Sequence, residues 1–264
     1  MTNQLLERMP GSVRRELSAA SGEFCLGPGE SIPQESLEGS FVFIVERGVA
    51  SKLLRSDIGM YSEVGMVGRE GMFPIAALLQ VTAAPHIVIS QVGQLSGRRV
   101  RTREFHAIID ECPEAKLLVR KYIYAFLTQI SSNILTSEQD MVEKRLARWL
   151  LMCHDRIEGD VISITHETLA QMAFAQRPTV TNALNEMRAR NLIDLSRGRI
   201  EILSRTGLHK LADGAYGFSE QYWRDQIGPF GKDALSGPAG GQGQPSIIDM
   251  PNVAVNLPRR ARLA

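Results

Sequence analysis

The stretch AQRPTVTN, residues 175–182, gathers Gln176, Arg177, Thr179, Thr181 and Asn182 around Pro178. A guanidinium offers paired N–H donors in one plane, and a carboxamide sets a donor beside an acceptor. Those shapes match guanine O6/N7 and adenine N6/N7 in the major groove of double-stranded DNA. Arg177 and Asn182 are therefore the candidates for base reading. The short threonines let the backbone approach phosphates closely. Arg197 and Arg199, in SRGR, can reach the flanking backbone, where contacts add affinity but carry no sequence information.

Such residues work only if something presents them. Over residues 165–203 the pattern predicts a helix, a short turn, a second helix and a two-stranded hairpin with both arginines at its tip. Thr165 is placed to cap the first helix, with Thr168 where a complete capping box needs Glu or Gln. Leu169, Met172 and Ala173 face inward from the first helix, and Val180, Leu184 and Met187 from the second. Pro178 suits a first helical position, where the missing N–H is no loss. The free N–H groups of that end favour a phosphate. This is a winged helix-turn-helix pattern, whose second helix enters a major groove. Phe174 stands where such turns usually carry glycine.

The preceding segments read differently. Residues 3–20 are helical, broken at Pro10-Gly11, with Ser12 as a predicted N-cap. From Gly22 to about Ser96, the runs SFVFIVERG, VASKLL, MYSEVGMVG and HIVISQVG alternate with Gly-rich turns, as strands of an antiparallel sheet or roll do. Glu46-Arg47-Gly48 is predicted to be a hairpin turn, and PIAALL a short helix within the roll. REFHAIIDECP predicts another short helix.

A long helix follows over residues 113–139. Val119, Ile123, Phe126, Ile130 and Ile134 form one apolar seam, and Leu118, Tyr122 and Ala125 a second. One seam is expected on the chain's own roll. The pattern leaves the other open to a second copy of the chain or to burial within one monomer. MVEKRLARWLLMCHDRI is amphipathic, with Leu146, Trp149, Leu150 and Cys153 inward and Lys144, Arg145 and Arg148 outward. His154-Asp155 reads as a solvated helix end. From Gly214 the chain is rich in Gly, Pro, Gln and Ser, and a flexible tail is expected over 214–264.

The expected fold is α+β. An N-terminal antiparallel, jelly-roll-like β-roll with helices spans 1–112, the long helix 113–139, and a winged helix-turn-helix domain 140–213. The composition, 44% hydrophobic and 22% charged, can fill a core. The net charge of +1 neither demands nor excludes a nucleic acid, since a local basic face matters more. No apolar run reaches the ~18 residues that span a bilayer. The start of the chain lacks a signal-peptide core, so a cytoplasmic protein is expected. The three scattered cysteines suit a reducing compartment and form no metal-ligand spacing. No nucleophile–base pair, carboxylate pair or cofactor motif points to an enzyme.

Over residues 1–212 the order of roll, long apolar helix and THETLAQMAFAQRPTVTNALNEMRARNLIDLSRGRIEIL resembles the Crp/Fnr family of bacterial transcription regulators. The resemblance is strongest over 141–203, and FVFIVERGVASKLL and VGREGMF also fit. It implies an effector-sensing roll, a homodimer paired through residues 113–139 and a palindromic double-stranded DNA site. Carried over by position, Arg177, Pro178 and Asn182 fall at base-reading places, and Gln176 and Thr179 at phosphate-contacting places. Pro178 replaces a residue that reads a base in many members, so a different preferred sequence is expected. Activation would also need a surface touching RNA polymerase, and no motif marks one.

The sensor departs from the family's cyclic-nucleotide binders. Their Gly-Glu pair becomes Gly68-Arg69, with Glu70 one place late, and TAAPHIVI replaces the Arg-Ser or Arg-Thr phosphate pair. Gly68, Arg69 and Glu70 mark a weak effector pocket, and a response to cAMP is not expected. The family's four-cysteine oxygen-sensing cluster is absent, and His86 reads as a surface or turn residue rather than a haem ligand. The alternative from another class is an effector-binding or scaffolding module whose helical domain contacts protein. It would bind no DNA in a salt-sensitive way.

Overall fold

The computed structural model describes residues 3–34, 36–55, 61–82, 86–139, 141–173 and 175–232. Two short helices, α1 (Gln4–Glu7) and α2 (Gly11–Ala20), precede strand β1 (Gly22–Leu26). Asn3 is fully buried and caps α1, accepting from Leu5 N and Leu6 N at 3.0 Å. Its amide donates to Val45 O and Gly71 O at 2.8 Å, which fastens the helices to the sheet. Pro10, not Ser12, stands at the N-cap of α2, and no side chain caps it.

Strands β2 (Phe41–Arg55), β3 (Tyr61–Val67), β4 (Met72–Phe73) and β5 (Ile87–Arg101) complete a five-stranded sheet. Its order is β1-β5-β2-β3, with β4 also on β2, and every pairing is antiparallel. The predicted hairpin at Glu46-Arg47-Gly48 is instead a set of register shifts inside β2, which pairs with β5 on both sides of it. Gly48 takes φ +79°, and the partner strand requires a glycine there. A Cβ there would stand 2.4 Å from Gln94 O. One long bent strand replaces two because the bulge turns the chain without ending the ladder. β1 is not among the predicted runs.

Helix α3 (Ile75–Leu79) sits within the roll as PIAALL predicts, and α4 (Thr102–Asp110) leads to α5 (Pro113–Gln139). Val119, Tyr122, Ile123, Ala125 and Phe126 of α5 are all buried within this chain. Both predicted seams are thus largely used internally. The apolar surface left on α5 is Leu117, Tyr124 and Leu127, which neither predicted seam includes, together with Ile134 from the end of the first seam. His86 is buried, not a surface residue.

The C-terminal part holds α6 (Val142–His154), β6 (Val161–Ser163), α7 (His166–Met172), α8 (Arg177–Ala189), β7 (Ile193–Ser196), β8 (Arg199–Ile202) and α9 (Arg205–Ala212). Its core is continuous with roll residues Val49, Leu53, Met66 and Val92. The expected tail from Gly214 is corrected as far as Lys232. Helix α10 (Phe218–Gln226) packs on α5, and Tyr216, Trp223 and Phe230 are buried. Aromatic residues spaced along this polar, glycine-flanked segment supply the apolar area that its average composition hides. Residues 233–264 lie outside the described part. Among the described residues, no helix is long and apolar enough to cross a membrane.

Candidate nucleic-acid interface

Helices α6 to α9 and a three-stranded sheet, ordered β6-β8-β7, hold the candidate reading residues. Thr165 Oγ1 accepts from Thr168 N at 3.1 Å, and the two hydroxyls are 2.8 Å apart, so Thr168 takes part in the cap without being Glu or Gln. Leu169, Met172, Ala173, Val180, Leu184 and Met187 are buried together as their spacing predicts. Truncating a large side chain in such a layer costs about 2–5 kcal/mol, so this layer fixes how α8 lies on α7. Arg145, predicted to point outward, donates from Nε to Ala173 O at 3.0 Å and closes the end of α7. Phe174 lies outside the described residues.

Helix α8 starts at Arg177, which makes Pro178 its second residue rather than its first. The missing N–H is harmless there too, because the first turn has no carbonyl to receive it. Gln176, Arg177, Pro178, Thr179 and Asn182 are exposed at this end. Thr181 is half-buried, with Oγ1 3.2 Å from His166 Nδ1, so it braces α8 against α7 more than it faces solvent. His166 carries no sequence signal for that contact. Arg177 Nε is 3.9 Å from Glu167 Oε2, with side chains 67% and 65% exposed. A pair that loose and wet is worth little, so the guanidinium can be recruited by another partner.

The hairpin of β7 and β8 pairs Ser196 with Arg199 around a two-residue tip, Arg197-Gly198. Gly198 has φ +69°, a conformation a side chain would strain. Gly198 O accepts from Ile164 N at 2.9 Å, which ties the tip to the segment before α7. Arg197 and Arg199 are both exposed. The structure thus sets one arginine pair on a wing and a second polar cluster at a helix N-terminus, over one shared core.

Of the three residues expected to mark an effector pocket, Gly68 and Glu70 are joined to each other and Arg69 points elsewhere. Glu70 is turned inward, 3% exposed, and accepts from Gly68 N at 3.0 Å and from Arg156 Nε at 2.7 Å. Gly68 is needed here, since a Cβ would stand 2.8 Å from the Arg156 side chain. Arg69 instead lines an open crevice of about 230 Å³ between the roll and β6. Among the described residues no group of His, Cys, Asp and Glu is arranged to hold a metal.

Beneath the interface lies a charged junction built from residues whose pattern predicts surface. Arg148 is buried and donates to Ala215 O at 2.8 Å and to Asn133. His154 and Asp155, predicted to form a solvated helix end, are buried as well. Asp155 accepts from Arg205 Nη2 at 2.8 Å, from the Tyr216 hydroxyl and from Lys232 N at 3.1 Å. Burial raises the Asp155 carboxyl above its ordinary range, against the pull of Arg205 and Tyr216. Burial lowers the His154 imidazole, partly offset by its bond to Asp160. Glu63 of β3 accepts from Ser51 and from Trp149 Nε1, the latter at 2.8 Å, and burial raises its carboxyl too.

Residues 144–211 match the Crp-like helix-turn-helix domain. Similar solved structures include TTHB099, a CRP-family transcriptional regulator from Thermus thermophilus. It is 18% identical, with a TM-score of 0.61, over 74% of this chain and 98% of that one. FixK2 from Bradyrhizobium japonicum is 16% identical with a TM-score of 0.60, over 72% of this chain and 96% of that one. TTHA1359, a CRP/FNR-family regulator also from Thermus thermophilus, is 19% identical with a TM-score of 0.56, over 74% and 100%. At these identities the likeness is one of fold. No curated protein matches the sequence.

Proposed function

We propose that this chain, with a Crp-like helix-turn-helix domain on the Crp/Fnr fold, is a sequence-specific DNA-binding transcription regulator. The observation that carries the reading is the N-terminal end of α8, where Arg177 and Asn182 stand exposed over a helix locked by Val180, Leu184 and Met187. Arg177 and Asn182 read base edges. Gln176, Thr179 and the first free N–H groups of α8 hold a phosphate, and Arg197 and Arg199 hold the neighbouring backbone. Pro178 shapes the end of the helix and contributes no hydrogen bond to a base. Thr181 acts as the brace to His166.

The working unit in this reading is a homodimer on a palindromic site. Leu117, Tyr124, Leu127 and Ile134 recur on one face of α5 and give a second copy an apolar seam. The roll is the sensor part, and its effector is a molecule other than cAMP. Glu70 is already neutralised by Arg156, and the phosphate-binding pair is missing from the sequence. Selection from random double-stranded DNA with the purified chain tests the whole reading. Recovery of a two-fold symmetric site supports it, and recovery of no preferred sequence overturns it.

A further inference from the structure

Residues 213–232 begin just past the end of the helix-turn-helix match at residue 211. They leave that domain, cross to α5 and the N-terminal helices, and return. At the departure Lys144 Nζ meets Asp213 Oδ2 at 2.8 Å, Arg148 holds Ala215 O, and Tyr216 sits between Asp155 and Arg205. In the crossing, α10 sets Trp223 edge-on to Tyr122 with ring centres 5.8 Å apart, and Tyr222 beside Tyr124 at 5.1 Å. Lys121 Nζ donates to Gln226 O at 2.9 Å, and Arg8 Nη2 to Pro229 O at 2.7 Å. Phe230 then packs under the Arg156 guanidinium at 5.2 Å, the same guanidinium that holds Glu70 of the roll. On the return, Lys232 N donates to Asp155 and its Nζ to Asp160 at 3.0 Å.

We propose that residues 213–232 are a strap that fixes the helix-turn-helix domain in one orientation against the roll and α5, and that a two-site DNA target reads this fixed orientation. The second half of this proposal rests on the DNA-binding function above; the first half does not. One side of the domain already shares a core with Val49, Leu53, Met66 and Val92 of the roll. The strap adds an attachment through α5, Arg8 and the Glu70–Arg156 pair. Two attachments through different elements remove rotations that one alone permits. The strap's bonds and ring contacts described above lie away from Gln176, Arg177, Pro178, Thr179 and Asn182, all of which stay exposed. It therefore positions the reading end rather than blocking it.

Two full-length variants test the strap. Trp223→Ala with Phe230→Ala removes its apolar seat, and Lys232→Ala removes only the Nζ bonds of its returning end, to Gly159 O and Asp160, leaving the backbone bond to Asp155. Hydrogen exchange is expected to rise across residues 142–163 in both, more in the first, while β2, β5 and α8 keep their protection. Affinity for the selected two-fold site is expected to fall about tenfold in the double variant, with a single half-site unaffected, because only the paired engagement needs fixed spacing. If the double variant fails to fold, Lys232→Ala shows the same changes at smaller size. Unchanged exchange over 142–163 in the folded variants overturns the strap. Raised exchange with an unchanged ratio of two-fold-site to half-site affinity overturns its role in DNA reading. Should the unaltered chain bind no preferred DNA, the function proposed above fails, and the exchange experiment still decides the strap.

Discussion

Arg177, at the start of α8, is about two-thirds exposed and only loosely held by Glu167, whereas Arg156, just past α6, is 4% exposed and carries Glu70, Met152 O and the Phe230 ring. The first keeps its donors available to an outside partner. The second commits them inside, joining the roll, the helix-turn-helix domain and the strap. The same side chain thus serves recognition where its partners are loose and architecture where they are complete. The difference separates residues whose loss should change binding without changing stability from residues that do the reverse.

Asp155→Ala is the sharpest way to break that division and carries the largest expected effect. It takes the carboxylate away from the Arg205 guanidinium and leaves the Tyr216 hydroxyl without its acceptor. The expected loss is about 3–5 kcal/mol of folding stability. Chemical denaturation measures it. A loss confined to DNA affinity would show that the junction belongs to the interface instead. Arg177→Ala comes next, with about 1–3 kcal/mol lost in binding to the selected site and discrimination relaxed at one base pair. Its melting temperature should not move, since an exposed residue with one weak ion pair contributes little.

Glu63→Gln has the smallest effect and sharpens the same contrast through pH. Burial raises the Glu63 carboxyl above its usual 4.5, so the folded chain binds a proton more readily than the unfolded chain. Stability then falls as pH rises from about that value through the higher folded one. Glutamine keeps an acceptor for Trp149 and cannot titrate, so this part of the slope should vanish. Denaturation midpoints at about pH 5 and about pH 8 should lie closer together in the variant than in the parent. An unchanged difference would mean that Glu63 is not the group responsible.

The two regions also differ in how much of each the sequence displays. Val180, Leu184 and Met187 recur at helical spacing, and the polar residues between them must then face out, so local pattern suffices for the reading end. The seams of α5 are legible as apolar but not as to what covers them. Val119 and Phe126 meet the roll side, while Tyr122 also meets Trp223, from a segment whose glycine-rich surroundings suggest a tail. Arg148, His154, Asp155 and Arg156 look like surface because pattern rules assign charge to solvent. Their partners Asn133, Asp160, Arg205, Tyr216 and Glu70 come from several different elements, so no single stretch announces the network. Gly48 shows a milder version of the same limit. Its positive φ is legible, but not the strand opposite that turns a hairpin into a bulge.

The measurement that tests the account most directly is DNA affinity as a function of salt, on the selected site and on a scrambled one. Logarithmic affinity should fall linearly with the logarithm of salt concentration, with a slope of about −0.9 for each phosphate neutralised. Arg197→Ala should reduce that slope by about one unit and leave the preference for the selected site intact. Affinity that ignores salt, or that does not distinguish the two sequences, would contradict the assignment of α8 and its wing as a DNA-reading surface.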